Sequence, residues 1–266
     1  METTPTLAPR PFVTARNAAV WTVLRRELNR HTGRELTVLD VGGGTGGFAV
    51  PLAEAGHRVT VVDASPDALA ALTRRAADAG VADRVRAVQG DGDALGGLIP
   101  AGTADLILCH AVLEVVDDPA GVLAAIAAAL RPGDAPNPGE APVPGGPPRP
   151  GGALSLLVAG RAAAVLGRAV NGQIGAAAVL ADDPDGRSGA RDTLRRRFDA
   201  DGAAALLTAA GLTVEETHGV RVLSDLLPAA VAEADPQALL DLELALSARP
   251  PFRDIATQLH LFARRP

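Results

Sequence analysis

The chain has 266 residues, of which 47% are hydrophobic, so it is long enough to bury one sizeable α/β core and we predict a single domain. Its formal net charge of −6 excludes an overall electrostatic attraction to nucleic acid and leaves only a local basic patch for such a role. Lysine and tyrosine are both absent, which excludes mechanisms that need a catalytic Lys or Tyr, including Schiff-base chemistry.

The cysteine content and the apolar segments bear on compartment. Cys109 is the only cysteine, which excludes a disulfide framework and a thiolate metal cluster. Residues 1–10 carry no signal-peptide pattern, and we expect them to be a flexible N-terminus. The apolar stretch at 153–167 is interrupted by Arg161 and is too short to span a bilayer. We therefore expect a cytoplasmic protein with no membrane contact and no metal.

The first half of the chain alternates between strand and helix patterns. Residues 11–30 place apolar side chains at near-helical spacing and predict an amphipathic helix. Residues 36–41 are a β-branched, apolar run that ends in glycines, which is typical of a buried parallel strand. The alternation continues with helix 48–55, strand 58–63, helix 66–79, strand 84–88, strand 104–110 and helix 119–130. This order predicts an α/β fold with a doubly wound, mostly parallel sheet.

The second half contains an insertion. Residues 134–150 are rich in Pro and Gly, cannot pack a core, and predict a surface loop. Residues 159–197 are predicted to form a lid over the carboxyl edge of the sheet, where ligands of this fold bind. The remaining predicted elements, all within a single domain of residues 11–266, are strand 153–158, helix 161–170, a Gly/Asp-rich loop to about 189, helix 200–210, and strands 212–217 and 258–263.

A glycine-rich turn follows the first strand, in the sequence DVGGGTG at residues 40–46. Glycines in such a turn allow the backbone to bend sharply and let a ligand approach without side chains in the way. The turn satisfies both the dinucleotide pattern Gly-x-Gly-x-x-Gly and the methyltransferase pattern Asp-x-Gly-x-Gly-x-Gly. Taken alone, it leaves both cofactor classes open.

Acidic residues at the ends of the next strands narrow the choice of cofactor. Asp63 ends the second strand, where a carboxylate can accept hydrogen bonds from the two ribose hydroxyls of an adenosine. Asp91, Gly92 and Asp93 follow the third strand, where a side chain could bind the adenine amino group. Asp40 ends the first strand, and a carboxylate there favours a sulfonium or ammonium ligand over a pyrophosphate. These residues favour S-adenosylmethionine.

Residues 104–119, ADLILCHAVLEVVDDP, followed by LRPG at 130–133, closely resemble class I methyltransferases. The chain looks most like the bacterial tRNA 5-carboxymethoxyuridine methyltransferase family. The similarity extends to residues 14–21 near the start and to 218–222 and 238–243 near the end. It implies a Rossmann-like, seven-stranded sheet with an antiparallel C-terminal strand.

The resemblance also implies roles for single residues. It pairs Arg16 with the methionine carboxylate of the donor, lines the turn with Gly42 and Gly43, and assigns the ribose to Asp63. It further assigns Gly92 and Asp93 to the adenine and His110 to a position beside the cofactor. The predicted cofactor residues are thus Arg16, Asp40, Gly42, Gly43, Gly44, Gly46, Asp63, Gly92, Asp93 and His110. His110 is also our candidate catalytic residue near the transferred methyl group.

The acceptor is left open between two kinds of substrate. Members of the resembled family methylate the carboxylate of a modified wobble uridine in tRNA, and we expect a carboxylate or another oxygen nucleophile as the acceptor. Aromatic side chains for stacking on a base are nearly absent, with only Phe198 near the predicted lid, which favours the alternative of a small metabolite, such as a carboxylic acid. Arg161, Arg197 and Arg221 are the candidate substrate residues, because a guanidinium can pair with a carboxylate or a phosphate through two parallel hydrogen bonds. An NAD-binding oxidoreductase is the remaining alternative from another class.

Overall fold

The computed structural model describes residues 14–91, 95–134, 150–187 and 192–266. Residues 1–13, 92–94, 135–149 and 188–191 lie outside the described residues. The predicted flexible N-terminus and most of the predicted Pro/Gly-rich loop, as well as Gly92 and Asp93, therefore lie outside them.

The strands are β1 Thr37–Val41, β2 Arg58–Asp63, β3 Val85–Gln89, β4 Leu106–His110, β5 Ala153–Ala159, β6 Thr213–Val220 and β7 Gln258–Arg264. The helices are α1 Ala18–Arg30, α2 Ala49–Glu54, α3 Pro66–Asp78, α4 Leu95–Leu98, α5 Pro119–Ala129, α6 Arg161–Val170, α7 Ile174–Asp182, α8 Ala200–Ala209, α9 Ala229–Ala234 and α10 Pro236–Ser247.

The seven strands form one sheet in the order β3-β2-β1-β4-β5-β7-β6. Neighbouring strands from β3 to β5 pair in parallel, whereas β7 runs antiparallel to both β5 and β6. The predicted doubly wound sheet with an antiparallel C-terminal strand is confirmed. Strand order reverses between β1 and β4, and this switch point is where ligands bind in open α/β sheets.

The core lies on both faces of the sheet, which explains why the central strands are continuous apolar runs. On one face, Leu39 and Ile107 pack against α5 and α8, and on the other, Val38 and Leu108 pack against α1, α2 and α3. Strand β3 is at the edge of the sheet, and most of its side chains are exposed or half-buried. The central strands therefore give the rigid base from which the loops at the carboxyl edge project.

Two helices of the first half begin with a side-chain cap followed by proline. The Ser65 hydroxyl accepts a hydrogen bond from the Ala68 amide, and Pro66 occupies the first position of α3. Asp118 caps α5 in the same way ahead of Pro119. These caps place the two helices immediately after the carboxyl-edge loops that precede them.

The insertion differs from its prediction. Residues 171–189 were predicted to be a Gly/Asp-rich loop, and this is wrong, because α7 occupies Ile174–Asp182 within it. Its sequence IGAAAVLAD is rich in Ala, the strongest helix former, which outweighs the flanking Gly and Asp residues. Helices α9 and α10 are also additional to the prediction, although Asp235 followed by Pro236 is a recognisable helix start. No described helix is long and apolar enough to cross a membrane.

Candidate active site

The glycine turn between β1 and α2 is tightly packed against the residues that precede it. Gly42, Gly44 and Gly46 have φ angles of 67°, 55° and 79°, a region that L side chains rarely adopt. A Cβ on Gly43 would lie 2.5 Å from the Asp40 carboxylate and 2.9 Å from Val61 Cγ1. The turn thus needs glycine both for its backbone angles and for its close approach to Asp40.

Asp63 connects the end of β2 to this turn. Its Oδ2 atom accepts a hydrogen bond from the Gly44 amide at 2.8 Å, and its Oδ1 atom accepts one from the Ser65 amide at 2.8 Å. Because Ser65 itself caps α3 with its hydroxyl, Asp63 is not needed as the helix cap. The carboxylate is half-buried and keeps acceptor capacity for further donors at the carboxyl edge.

Asp40 is almost completely buried one residue before the end of β1. Burial, together with the negative charge of Asp63, raises its pKa to about 7. Its Oδ2 atom has no hydrogen-bond partner among the described residues. A buried carboxyl group without a partner is costly, and a cationic ligand at this edge would relieve that cost.

His110 ends β4 and belongs to a row of polar side chains that crosses the sheet. Its Nε2 atom lies 2.9 Å from the Ser155 hydroxyl, and the His260 Nε2 atom lies 2.9 Å from the same oxygen. Phe48 contacts the His110 ring edge-on at a centroid distance of 4.7 Å. Burial lowers the pKa of His110 to about 3, so the ring is neutral at physiological pH. A neutral His110 can orient a ligand but is a weak general base.

Glu114, in the loop after β4, is a buried carboxyl group that the sequence did not single out. Its side chain is 3% exposed, and burial raises its pKa to about 7. The Oε2 atom has no hydrogen-bond partner among the described residues. The backbone of Glu114 is held by the segment that precedes α8, because its carbonyl accepts a hydrogen bond from the Arg195 amide at 2.8 Å.

Two of the sequence-predicted arginines meet at one acidic side chain. Arg16, just before α1, donates a hydrogen bond to Asp225 Oδ1, and the Arg221 guanidinium lies 3.8 Å from Asp225 Oδ2. Arg221 follows β6 and has a φ angle of 59°, which is uncommon for a residue with a side chain. The two arginines thus lie at the same edge, although 205 residues separate them in the chain.

Arg161 and Arg197 differ in how far their guanidinium groups are already engaged. Arg197 is buried and forms a two-pronged ion pair with Asp192 while also donating to the Gly186 carbonyl. Arg161 donates to the Pro184 carbonyl, but its Nε atom is buried without a partner. Because the fork of Arg197 is occupied within the protein, Arg161 is the better placed of the two for an incoming ligand.

The buried polar atoms without partners gather at the carboxyl edge of the sheet. Eight such side-chain atoms occur among the described residues, and each lies at or next to this edge. They belong to Asp40, His110, Glu114, Arg161, His218, Arg221, Gln258 and His260. Since buried polar groups are normally hydrogen-bonded, their concentration in one place indicates a ligand site.

Several of these residues escaped the sequence prediction. Ser155 and His260 carry a signal that was available, because each is a polar residue inside an otherwise apolar strand. Glu114 lies within the segment that carries the family resemblance, yet nothing in the sequence shows that it is buried. Within the ranges that the structure describes, no group of three or more His, Cys, Asp or Glu side chains could hold a metal ion.

Comparison with known proteins identifies similar sequences over different lengths. Residues 38–133 match the family described as a methyltransferase domain. A tRNA 5-carboxymethoxyuridine methyltransferase from Escherichia coli strain K12 is 30% identical over 254 residues, which cover 94% of this chain and 88% of that protein. A ubiquinone biosynthesis O-methyltransferase from Methylocella silvestris is 39% identical over 98 residues, or 37% of each protein.

Solved structures share the fold at lower sequence identity. An S-adenosylmethionine-dependent methyltransferase from Mesorhizobium loti has a TM-score of 0.58 and 21% identity, covering 94% of this chain and 100% of that one. Magnesium protoporphyrin IX methyltransferase from Synechocystis PCC 6803, solved with bound SAH, has a TM-score of 0.57 and 17% identity, covering 95% and 84%. At this level of identity the likeness establishes the fold alone.

Proposed function

The chain belongs to the class I S-adenosylmethionine-dependent methyltransferases, in the family of tRNA 5-carboxymethoxyuridine methyltransferase, and from this premise we propose that it methylates a carboxylate on a modified wobble uridine of tRNA. The methyl donor is S-adenosylmethionine. Membership of this family sets aside the alternative of an NAD-binding oxidoreductase. The following observations support the assignment of the acceptor.

The residues at the β1 and β2 ends fit the donor. Asp40 offers an unpartnered, buried carboxyl group, which a sulfonium or ammonium group would stabilise in its charged form. Gly43 lets the turn lie directly against Asp40, because any side chain at this position would collide with it. Asp63 is already oriented by the Gly44 amide and is suited to accept the ribose hydroxyls.

We assign the donor's remaining contacts to residues on the same edge. Arg16 would pair with the methionine carboxylate, His110 would lie beside the transferred methyl group, and the backbone of Gly42, Gly44 and Gly46 would border the donor. Gly92 and Asp93, which we assign to the adenine, lie outside the described residues. The bound donor supplies an activated methyl group, so the protein needs to orient the acceptor and exclude water rather than activate the methyl carbon.

The acceptor proposal rests on guanidinium nitrogens that have no hydrogen-bond partner among the described residues and lie at the carboxyl edge, on the β5-β7-β6 side of the sheet. The Nε atoms of Arg161 and Arg221 are buried without hydrogen-bond partners, and both residues follow strands of the β5-β7-β6 side. Such donors favour an acceptor with anionic oxygens. A carboxylate acceptor loses no proton on methylation, so it also matches a site whose central histidine is a weak base.

Glu114 fits this picture as a hydrogen-bond donor. With a pKa of about 7, a large fraction of its carboxyl groups is protonated at neutral pH and can donate to an acceptor oxygen. The loop that carries it is held by Arg196, which donates to the Leu113 carbonyl at 2.9 Å and to the Val116 carbonyl at 2.6 Å. The adjacent residues Arg195 and Arg196 thus fix the loop that carries Glu114.

The candidate phosphate contacts lie on the predicted lid. Arg187 and Arg195 are both exposed, and Arg195 forms an ion pair with the exposed Asp117. Exposed arginines near the mouth of the site suit a polyanion because phosphate contacts fix the orientation of an RNA without reading its sequence. A tRNA acceptor also agrees with the cytoplasmic location that the sequence predicts.

Labelled S-adenosylmethionine incubated with undermethylated tRNA tests the proposal. The tRNA is taken from a strain that lacks the gene for this protein, and the Asp63→Ala variant serves as the inactive control. We expect label in the tRNA fraction, and mild alkali should release it as methanol because a methyl ester is hydrolysed where N- or C-methyl groups are not.

Two results would count against the proposal. Label that resists alkali would reject the carboxylate target. Label that enters only a small-molecule extract, tested in parallel, would reject tRNA and support the alternative of a small carboxylic acid as the acceptor. The poverty of aromatic side chains for base stacking is the observation that keeps this alternative open.

A further inference from the structure

The turn after β6 is held in place by a single buried glutamate from α10. Glu243 is 3% exposed, and its carboxylate accepts hydrogen bonds from the backbone amides of Val222, Leu223 and Ser224 at 2.9, 3.0 and 2.7 Å. The Ser224 hydroxyl donates to the same carboxylate. A carboxylate that accepts this many hydrogen bonds is rigidly placed, so α10 fixes the backbone between Arg221 and Asp225.

Arg221 is held in an unfavourable conformation by these contacts. Its φ angle of 59° carries a cost for a residue with a side chain, and such strain persists only where the surroundings enforce it. The Thr257 hydroxyl donates to the Arg221 carbonyl at 3.1 Å and holds it from the start of β7. The strained backbone directs the guanidinium toward Asp225, with its Nε atom buried and without a partner.

The cluster of Arg16, Arg221 and Asp225 carries more positive than negative charge, which favours the binding of an anion. Arg16 and Arg221 both approach Asp225, so two positive charges share one carboxylate. The Asp225 side chain is 21% exposed, and those of Arg16 and Arg221 are 58% and 36% exposed, so the cluster is open to solvent and to a ligand. A second carboxylate could take the place of Asp225 without leaving an arginine unpaired.

We propose that Arg16 and Arg221 together form a carboxylate-binding site, that Asp225 fills it in the free protein, and that a ligand carboxylate displaces Asp225. Glu243 is the positioning residue that holds Arg221 in this site. The ligand carboxylate has two sources under the function proposed above, on which this inference rests: the methionyl group of the donor or the acceptor itself. The site can bind a carboxylate from either source. Replacement of Arg221 distinguishes the two cases, because it weakens the binding of the donor in one case and of the acceptor in the other.

Two adenosyl ligands separate these sources in a calorimetric titration. S-Adenosylhomocysteine carries an amino-acid carboxylate, whereas 5′-methylthioadenosine is an adenosyl thioether without one. If the donor fills the site, Arg221→Gln should weaken S-adenosylhomocysteine at least about tenfold and leave 5′-methylthioadenosine unchanged. Asp225→Asn should instead strengthen S-adenosylhomocysteine selectively, because the competing carboxylate is gone.

If the acceptor fills the site, the two adenosyl affinities should stay the same in Arg221→Gln while the KM for the acceptor rises at least about tenfold and kcat changes less. Glu243→Gln should reproduce whichever selective loss Arg221→Gln shows. A merely structural role of Glu243 would lower the Tm and leave the ratio of the two adenosyl affinities and the acceptor KM alone.

Arg26→Gln is the matched control, because Arg26 lies on α1 and forms an exposed ion pair with Glu216 away from Asp225. Folded Arg221→Gln and Asp225→Asn proteins that change neither the adenosyl ratio nor the acceptor KM would overturn the proposal. The adenosyl titration needs no RNA, so an unlabelled tRNA fraction in the experiment above would refute the proposed acceptor and leave this test standing.

Discussion

The carboxylate of Asp63 accepts a hydrogen bond from the backbone amide of Gly44 at 2.8 Å. This contact joins the end of β2 to the glycine turn that follows β1, across the β1–β2 pair that lies next to the switch point of the sheet. The Asp63 carboxylate, which we propose binds the ribose, and the turn are therefore fixed relative to each other before any ligand arrives. Preorganisation of this kind lowers the entropy lost on binding.

Replacement of Asp63 by Ala should abolish measurable binding of S-adenosylhomocysteine. The variant loses the ribose acceptors and also frees the Gly44 and Ser65 amides, and hydrogen bonds to a charged group contribute roughly 1.5–3 kcal/mol each. We expect a loss of affinity of about 100-fold or more by calorimetry. Asp67→Ala, which removes an exposed carboxylate from the first turn of α3, is the control and should bind normally.

The glycine turn gives a second prediction that needs no ligand. Gly43→Ala should destabilise the protein by about 1–3 kcal/mol, because its Cβ would collide with Asp40 and Val61 in a packed region. Gly47→Ala is the matched control in the same turn, since a Cβ there would meet no protein atom within 4 Å. Equal denaturation midpoints for the two variants would show that the close packing at Gly43 is not required.

The central half of the fold could be predicted because its signals are local. Apolar runs at β1 and β2 are rich in β-branched residues, and each is followed by a glycine-rich or polar segment, which identifies the strands and their carboxyl ends. The positions of Asp63 at the end of β2 and of Asp40 one residue before the end of β1 could be predicted for the same reason. Their position follows from periodicity within a few residues.

The contacts between side chains at the carboxyl edge could not be predicted from local patterns because they join distant parts of the chain. The pairing of Arg16 with Asp225 spans 209 residues, and the contact between Ser155 and His260 spans 105. Whether two such residues meet depends on strand order and register, which the sequence alone leaves open. Helix α7 was missed for another reason, because its flanking Gly and Asp residues obscured an Ala-rich core.

Asp40 should make the stability of the free protein depend on pH. Its pKa is raised from 3.8 to about 7 in the folded state, so between these values the folded protein holds a proton that the unfolded chain has released. Stability therefore falls as the pH rises from about 4 to about 7 and levels off above that. Asp40→Asn should lack this component, so equilibrium unfolding should show a stability that falls less, or rises more, from pH 5 to pH 8 in the variant than in the wild type.

Binding of the cationic donor should reverse the effect of burial on Asp40. A positive charge beside the carboxyl group favours its ionised form, so S-adenosylmethionine binding at pH 7 should release about 0.5 proton per molecule. Calorimetry in two buffers of different ionisation enthalpy measures this number. Glu114→Gln is the control, because Glu114 has a similar pKa on the acceptor side; proton release that vanishes in Glu114→Gln but persists in Asp40→Asn would contradict the assignment.

Arg195 and Arg196 are adjacent and should differ in what their removal costs. Arg196 donates to the carbonyls of Leu113, Val116 and Asp117, so Arg196→Ala should lower stability by about 1–3 kcal/mol. Arg195 is 51% exposed and pairs with an Asp117 side chain that is 73% exposed, so Arg195→Ala should change stability by less than about 0.5 kcal/mol.

Arg195→Ala also tests the contact with tRNA. If Arg195 binds a phosphate, Arg195→Ala should weaken tRNA binding uniformly and reduce the slope of log affinity against log salt by about 1. Arg74→Ala, an exposed arginine on α3, is the control and should leave the slope unchanged. Filter binding over a series of salt concentrations gives both slopes. A phosphate that loses its arginine contact keeps its counterions in the complex, so the slope must become smaller when such a contact is removed. An unaltered slope in Arg195→Ala would therefore exclude this residue from the RNA interface.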